Sequence, residues 1–417
     1  MIPEEHAFLV IIRDHIEPSA FSAFREAELS SLVKTMGMAV TETEIVTIKS
    51  PKAPYLIGSG KMHEICERAE ELEVDCIIFD ADLSPSQQRN WEKNSGRCVI
   101  DRREVILQIF ADRASTREAV LQVALARQEY SLPRLTRAWT HLSRQRGGSK
   151  GTRGEGETQL EIDRRIVMKH ISQIKRELKK VREHRNTQRK QRQGIPVPSG
   201  SIVGYTNAGK SSLLKMLTNA DILVEDKLFA TLDPTTRRIH LPSGTDVLLT
   251  DTVGFVQNLP HDLIDAFRST LEETRYSDFI LHLIDASHPE PMTCFETTME
   301  VLESVGCADK PQILVINKMD LCEDILHLSG LKNLGVPVVQ ISVKDELGIE
   351  ELMQTISDTL FSIYPEEEYH LPHDRYDLLA FIKKNGHISN ESYLDEKIII
   401  KARIPERFHS VVKQYKA

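Results

Sequence analysis

The sequence predicts an α/β protein. Its largest domain, residues 201–364, is expected to be a mostly parallel sheet with helices on both faces. A small α/β domain (1–103) and a long helical hairpin (104–193) precede it, and a small α/β element (365–417) follows. Three observations carry this expectation. Strand-like apolar runs alternate with amphipathic stretches in the first and third segments, and the second switches to long helical periodicity. GIPVPSG at 194–200 then breaks the chain with two prolines and two glycines.

At 417 residues the chain exceeds one ordinary core, and 40% apolar with 28% charged residues is a globular composition. No apolar run approaches bilayer length, and MIPEEHAFLV lacks the basic start and apolar stretch of a secretory signal. A cytoplasmic protein without a transmembrane segment is expected. Cys66, Cys76, Cys98, Cys294, Cys307 and Cys322 show no CxxC spacing, which argues against a zinc site or a disulfide framework.

In the first domain FLVII, EIVTI and DCIIFDADL read as strands, and KMHEICERAEELEV reads as a helix between them. In the second segment REAVLQVALARQEY and RRIVMKHISQIKRELKKVREHRNTQRKQR read as helices. Ile171, Ile174, Leu178 and Val181 fall at alternating three- and four-residue steps, a seam whose local partner is the stretch around Val120, Val123 and Ala124. The connector, residues 144–158, is richer in glycine and arginine than a helix tolerates and reads as a mobile basic loop.

Residues 131–200 carry 18 Lys or Arg against 6 Asp or Glu, about +12 within a chain of net charge −9. Such a block suits a polyanionic partner, although a solvated helix pair would carry the same charge. Arg144, Arg146, Lys150 and Arg153 are the candidate RNA-phosphate contacts.

In the third segment the strand-like run SIVGYT leads into Gly204-Tyr205-Thr206-Asn207-Ala208-Gly209-Lys210-Ser211-Ser212, a GxxxxGKS phosphate loop. Its glycines let the backbone N–H groups and the following helix N-terminus face phosphate oxygens. Lys210 is expected to reach the β- and γ-phosphates, and the Ser211 hydroxyl to ligate Mg2+. After the strand TDVLLT comes Asp251-Thr252-Val253-Gly254. A carboxylate there can hold Mg2+ through a water, and the Gly254 N–H can approach the γ-phosphate.

Between these lies LFATLDPTTRR, the expected first switch, with Phe229, Ala230, Thr231, Leu232 and Asp233 beside the nucleotide. Thr231 is the favoured second hydroxyl for Mg2+, with Thr235 or Thr236 as alternatives. Lys210, Thr231 and Gly254 are therefore the expected catalytic set. Asn317, Lys318, Met319 and Asp320 end the strand PQILVI. A carboxylate at Asp320 can accept both the N1–H and the N2 amine of guanine, which adenine cannot offer, so the expected nucleotide pair is GTP and GDP. Ser342, Val343 and Lys344 end the next strand and are expected to close over the base.

With GYTNAGKSS, LFATLDPTTR, DTVGF and NKMD in this order, the chain resembles the HflX family of translational GTPases. GSGK at 58–61, QVALARQEY at 122–130 and GEGETQLEIDRR at the end of the connector extend the resemblance over nearly the whole chain. It implies a GTPase that binds the large ribosomal subunit and its rRNA, is stimulated by it, and separates or rescues stalled ribosomes. A monomer is expected. The sequence is also similar to GTPases that place a hydrophobic residue, here Phe255, where others carry a water-orienting glutamine. Basal turnover on the order of 10⁻⁴ to 10⁻² per second follows, with a partner completing the site. Asn207 matches a position that binds K+ in some cation-dependent GTPases, although a loop asparagine also serves turn geometry. Two other readings stay open: a ribosome-assembly or RNA-modification GTPase, and a remodeller using GSGK near Lys61 as a second nucleotide site.

Overall fold

The structure, a computed structural model, describes residues 5–16, 19–137, 153–192, 197–218, 228–229, 231–257, 273–394, 397–405 and 408–417. It divides into two compact units. The first comprises residues 1–186 with 227–229 and 259–267, and the second comprises the remainder.

In the first unit β1 (His6–Asp14), β2 (Ala39–Ile48), β3 (Cys76–Phe79) and β4 (Cys98–Asp101) form a wholly parallel sheet in the order β2-β1-β3-β4. The run AFLVII of β1 is buried along its length, as a central strand covered on both faces must be. Helices α1 (Ser19–Met36), α2 (Ser59–Glu71) and α3 (Pro85–Ser95) connect the strands. A capping box between Ser84 and Gln87 starts α3, and Gly96 at φ 66° ends it. Inside, Trp91 is fully buried, its ring 4.8 Å from that of Phe79.

Helix α4 (Arg102–Arg113) packs on α1, so the α/β fold runs beyond residue 103 and the first arm of the helical pair begins at α5 (Arg117–Ser131). Arg102 joins the Asp80 carboxylate at the end of β3 (2.8 Å) and the Glu28 carboxylate of α1. Both charges are buried, but each is paired. Helix α6 (Arg153–Arg192) starts earlier than its sequence suggests. Residues 153–158, expected in the loop, are its first turns. Two glycines there cost about 1 kcal/mol each, and the helix formers Glu155, Glu157, Gln159, Leu160 and Glu161 outweigh them once the helix is extending. Along the expected seam Leu178 is buried and Ile171, Ile174 and Val181 are half-buried. Ion pairs Lys175–Glu129 (2.7 Å) and Arg117–Glu177 (3.7 Å) join α6 to α5.

The second unit holds a six-stranded sheet in the order β10-β9-β8-β5-β7-β6: β5 (Ser199–Gly204), β6 (Thr235–His240), β7 (Asp246–Asp251), β8 (Phe279–Asp285), β9 (Gln312–Asn317) and β10 (Val338–Gln340). Only β6 runs antiparallel. Phe279, Ile280, Leu281, Leu283 and Ile284 of β8 are essentially unexposed, each worth about 1.5–3 kcal/mol of burial. Helices α7 (Lys210–Thr218), α8 (Pro291–Ser304), α9 (Ser329–Lys332) and α10 (Ile349–Ser362) pack along the sheet, with Leu213, Leu352, Ile356 and Leu360 in its main core.

The last segment is a three-stranded antiparallel sheet in the order β11-β13-β12, from β11 (Glu366–Pro372), β12 (His387–Tyr393) and β13 (Lys397–Arg403). It packs with α11 (Tyr376–Asn385) and α12 (His409–Val412) around Tyr369, Ile382, Ile398 and Ile400. The run KIIIKAR of β13 carries a strand signal in its apolar β-branched residues, whereas the more polar β12, HISNESY, carries little, its residues being largely exposed.

Candidate functional site

Because β5, β7, β8, β9 and β10 are mutually parallel, their carboxyl ends share one edge of the sheet, where ligands of open α/β sheets bind. The motifs that begin at Gly204, Asp251, Asn317 and Ser342 each leave a strand at that edge.

The phosphate loop runs from β5 into α7. Gly209 has φ +95°, and a methyl carbon there would lie 2.3 Å from Asn317 Nδ2, so only glycine fits. Lys210 is 7% exposed, and its ammonium donates to the carbonyls of Gly204 (3.1 Å) and Tyr205 (2.8 Å). That uses two of its three protons and aims the group into the loop. Burial lowers its pKa to about 8, partly opposed by the Asp251 charge. Such an ammonium is short of counter-charge and suited to a polyanion.

Ser211 Oγ donates to Asp251 Oδ2 (2.6 Å) and lies 2.7 Å from Thr231 Oγ1. Burial raises the Asp251 pKa, opposed by Lys210 and the Ser211 hydrogen bond. Asp251 Oδ1 is buried with no hydrogen bond among the described residues. Two hydroxyls and a carboxylate make an all-oxygen donor set, which fits a hard cation such as Mg2+. Of the alternatives for the second hydroxyl, Thr236 pairs instead with Thr250 (2.9 Å) on β6 and β7, and Thr235 begins β6. Thr252, Val253 and Gly254 are buried after β7, and Thr252 Oγ1 donates to the Ile202 carbonyl (2.7 Å).

At the end of β9, Asn317 donates from Nδ2 to the Ala208 carbonyl (2.9 Å) and accepts the Val343 N–H on Oδ1 (3.2 Å). Lys318 stands at φ 61° and pairs with Asp285 (2.8 Å). Ser342 Oγ donates to Asp320 Oδ1 (2.8 Å), and the Lys344 ammonium lies 3.9 Å from Oδ2. Tyr205, Thr206 and Ala208 are buried in the loop, whereas Asn207 is exposed at φ 59°. Ser212 follows in α7, and Met319 begins a short turn of 3-10 helix.

Leu232 is buried and Asp233 half-buried beyond Thr231. Phe229 belongs to the first unit, where its ring meets Phe110 edge-on at 4.6 Å. An aromatic side chain beside a switch motif follows apolar packing first. Ala230, Arg144, Arg146 and Lys150 lie outside the described residues, and Arg153 opens α6. Asp285 escaped the sequence reading. Its signal was its place at the end of the strand FILHLID, on the same edge as the other motifs.

A phosphate loop, an oxygen cluster and an Asn-Lys-x-Asp motif on one edge of this sheet define a P-loop GTPase. Residues 23–111 match the family described as GTP-binding GTPase N-terminal, 113–192 the GTP-binding GTPase middle region, and 200–318 the 50S ribosome-binding GTPase. GTPase HflX of Akkermansia muciniphila is 45% identical over 402 residues, covering 94% of this chain and 92% of that one. GTPase HflX of Treponema denticola is 50% identical over 348 residues, covering 82% and 89%. A GTP-binding protein of Sulfolobus solfataricus, crystallised with GDP, is 25% identical with a TM-score of 0.46 and covers 86% of this chain and 99% of that one. The chain belongs to the HflX family of GTPases, and its reaction is hydrolysis of GTP to GDP and phosphate. Among the described residues no helix is long and apolar enough to cross a membrane.

Proposed function

We propose that this GTPase binds the large ribosomal subunit and acts as a GTP-controlled switch in ribosome splitting or rescue, its slow intrinsic hydrolysis completed by the ribosome. The observation that carries this reading is Phe255. It follows the DTVG motif, is 2% exposed, and has no group able to orient an attacking water. A site otherwise furnished for hydrolysis then needs a partner. The 50S ribosome-binding description of the family matched by residues 200–318 supports the ribosome as that partner.

In this reading Lys210 holds the β- and γ-phosphates, and the Gly254 N–H meets the γ-phosphate. Asp320 and Asn317 select and seat guanine, and Ser342, Val343 and Lys344 close over it. Ser211, Thr231 and Asp251 would hold Mg2+, which would supply positive charge to offset that of the β- and γ-phosphates. Asn207 as a K+ ligand is a secondary proposal, removed by equal GTP turnover in K+ and Na+ buffers.

RNA contact is assigned to the basic helical pair. Arg164, Arg165, Lys169, Arg176, Lys179 and Lys180 are exposed along α6, and Arg144, Arg146, Lys150 and Arg153 extend the charge. Contacts to phosphate position a protein without reading sequence and weaken steeply with salt. Cosedimentation with purified subunits in the presence of a non-hydrolysable GTP analogue tests the reading. Binding to large but not small subunits, falling steeply with KCl, is expected. Equal binding to both, or preference for immature particles, would favour an assembly role instead.

A further inference from the structure

Immediately after DTVG, the chain is fastened to the phosphate loop at three successive points. Phe255 N donates to the Gly204 carbonyl (3.2 Å), Thr206 N donates to the Phe255 carbonyl (2.8 Å), and Gln257 N donates to the Tyr205 hydroxyl (2.8 Å). Tyr205 and Phe255 thereby form an isolated parallel bridge beyond the end of β5. The first two bonds are backbone to backbone and available to any sequence. The third depends on one phenol oxygen. Tyr205 is 5% exposed, and its ring stands edge-on to His288 at 5.9 Å, which fixes where that oxygen points.

This fastening bears on the nucleotide through Gly254. A methyl carbon at Gly254 would lie 2.8 Å from Thr206 Cα and 3.0 Å from Lys210 Nζ. The glycine backbone is thus pressed against the ammonium that serves the β- and γ-phosphates. A γ-phosphate accepting from both Lys210 Nζ and Gly254 N needs room at this close contact, and in the proposal below the Gly254 segment yields it. A β-phosphate cradled by the loop makes no such demand on Gly254. Holding residues 255–257 to the loop therefore costs GTP affinity and leaves GDP affinity nearly untouched, the condition under which a contact shifts a conformational equilibrium.

We propose that the Tyr205 hydroxyl is a specificity-determining latch that biases this GTPase toward GDP by fastening residues 255–257, which act as a second switch, to the phosphate loop through Gln257 N. The proposal rests on the assignment of Lys210 and Gly254 to the γ-phosphate. Because Tyr205 acts through the switch, it is a positioning residue, and its signature is discrimination between nucleotides.

Tyr205→Phe keeps the ring and removes only the latch oxygen. With mant-GDP and mant-GMPPNP as probes in Mg2+ buffer, the ratio of GTP-analogue to GDP affinity should rise about three- to tenfold over wild type, the worth of one net hydrogen bond. A proportional change in both affinities, or no change in either, makes the hydroxyl structural and overturns the proposal. Wild-type protein that binds neither probe would instead undo the nucleotide assignment itself. A second measurement needs no variant. The amide of Gln257 should exchange with solvent at least about tenfold faster in the GMPPNP complex than in the GDP complex, since the open latch frees its N–H. Equal protection in the two complexes contradicts the latch.

Discussion

Asn317 joins two segments on either side of it in the chain, donating to the Ala208 carbonyl of the phosphate loop 109 residues earlier and accepting from the Val343 N–H 26 residues later. The residue is 2% exposed, so both bonds are made away from water. One side chain thus ties the phosphate loop to the segment after β10, the proposed phosphate and base ends of the site. Asn317→Ala should weaken GDP and GTP together by about tenfold or more, since two buried polar groups lose their partner. Titration of both nucleotides checks this, and selective loss of one would contradict it.

Asp320 accepts from Ser342 on Oδ1 (2.8 Å), so its position is held independently of any nucleotide. Asp320→Asn keeps an acceptor for Ser342 but replaces the other oxygen with a donor. Guanine affinity should fall about 30- to 1000-fold, and xanthine nucleotides should gain. Competition between GTP and XTP measures this, and unchanged GTP affinity would remove Asp320 from base recognition.

Ser211 is the hydroxyl nearest both Asp251 (2.6 Å) and Thr231 (2.7 Å). Ser211→Ala should lower GTP turnover at least about a hundredfold at saturating Mg2+ and raise the Mg2+ concentration required. Losing a direct Mg2+ ligand weakens charge neutralisation where it develops. A Mg2+ dependence identical to wild type would contradict the assignment.

His282 sits in the middle of β8, 1% exposed and stacked on Phe295 at 4.9 Å. Burial, aided by the Lys210 charge and opposed by the neighbouring Gln312 side chain, lowers its pKa to about 3. The unfolded chain therefore binds a proton near pH 6.5 that the folded chain refuses. Its contribution is intact above pH 6.5 and is lost as pH falls below it, by about 1.4 kcal/mol per unit. Denaturant unfolding at pH 7 and 5 should differ by roughly 2 kcal/mol more in wild type than in His282→Gln. Equal acid sensitivity in the two would contradict this.

The convergence of the candidate site was legible because its motifs lie at strand ends, and a parallel sheet brings such ends together whatever lies between. Gly209, Lys210, Ser211, Asp251, Asn317 and Asp320 could be placed at one edge from their order and spacing, and their roles toward a nucleotide stand as proposed. What escaped depends on three-dimensional pairing. Nothing in the sequence ties Asp285 to Lys318, or the Tyr205 hydroxyl to Gln257 N, and the packing of Phe229 on Phe110 is equally invisible there. The start of α6 was misread for another reason: glycine content marks where a helix is costly, not where it stops once neighbouring residues propagate it.

Steady-state GTP turnover, measured for the protein alone, with purified large subunits and with purified small subunits, tests the central claim most directly. Buried Phe255 and an otherwise complete site predict basal turnover on the order of 10⁻⁴ to 10⁻² per second and strong stimulation by the large subunit alone. Fast turnover by the isolated protein, or equal rates with and without large subunits, would contradict a site that the ribosome completes.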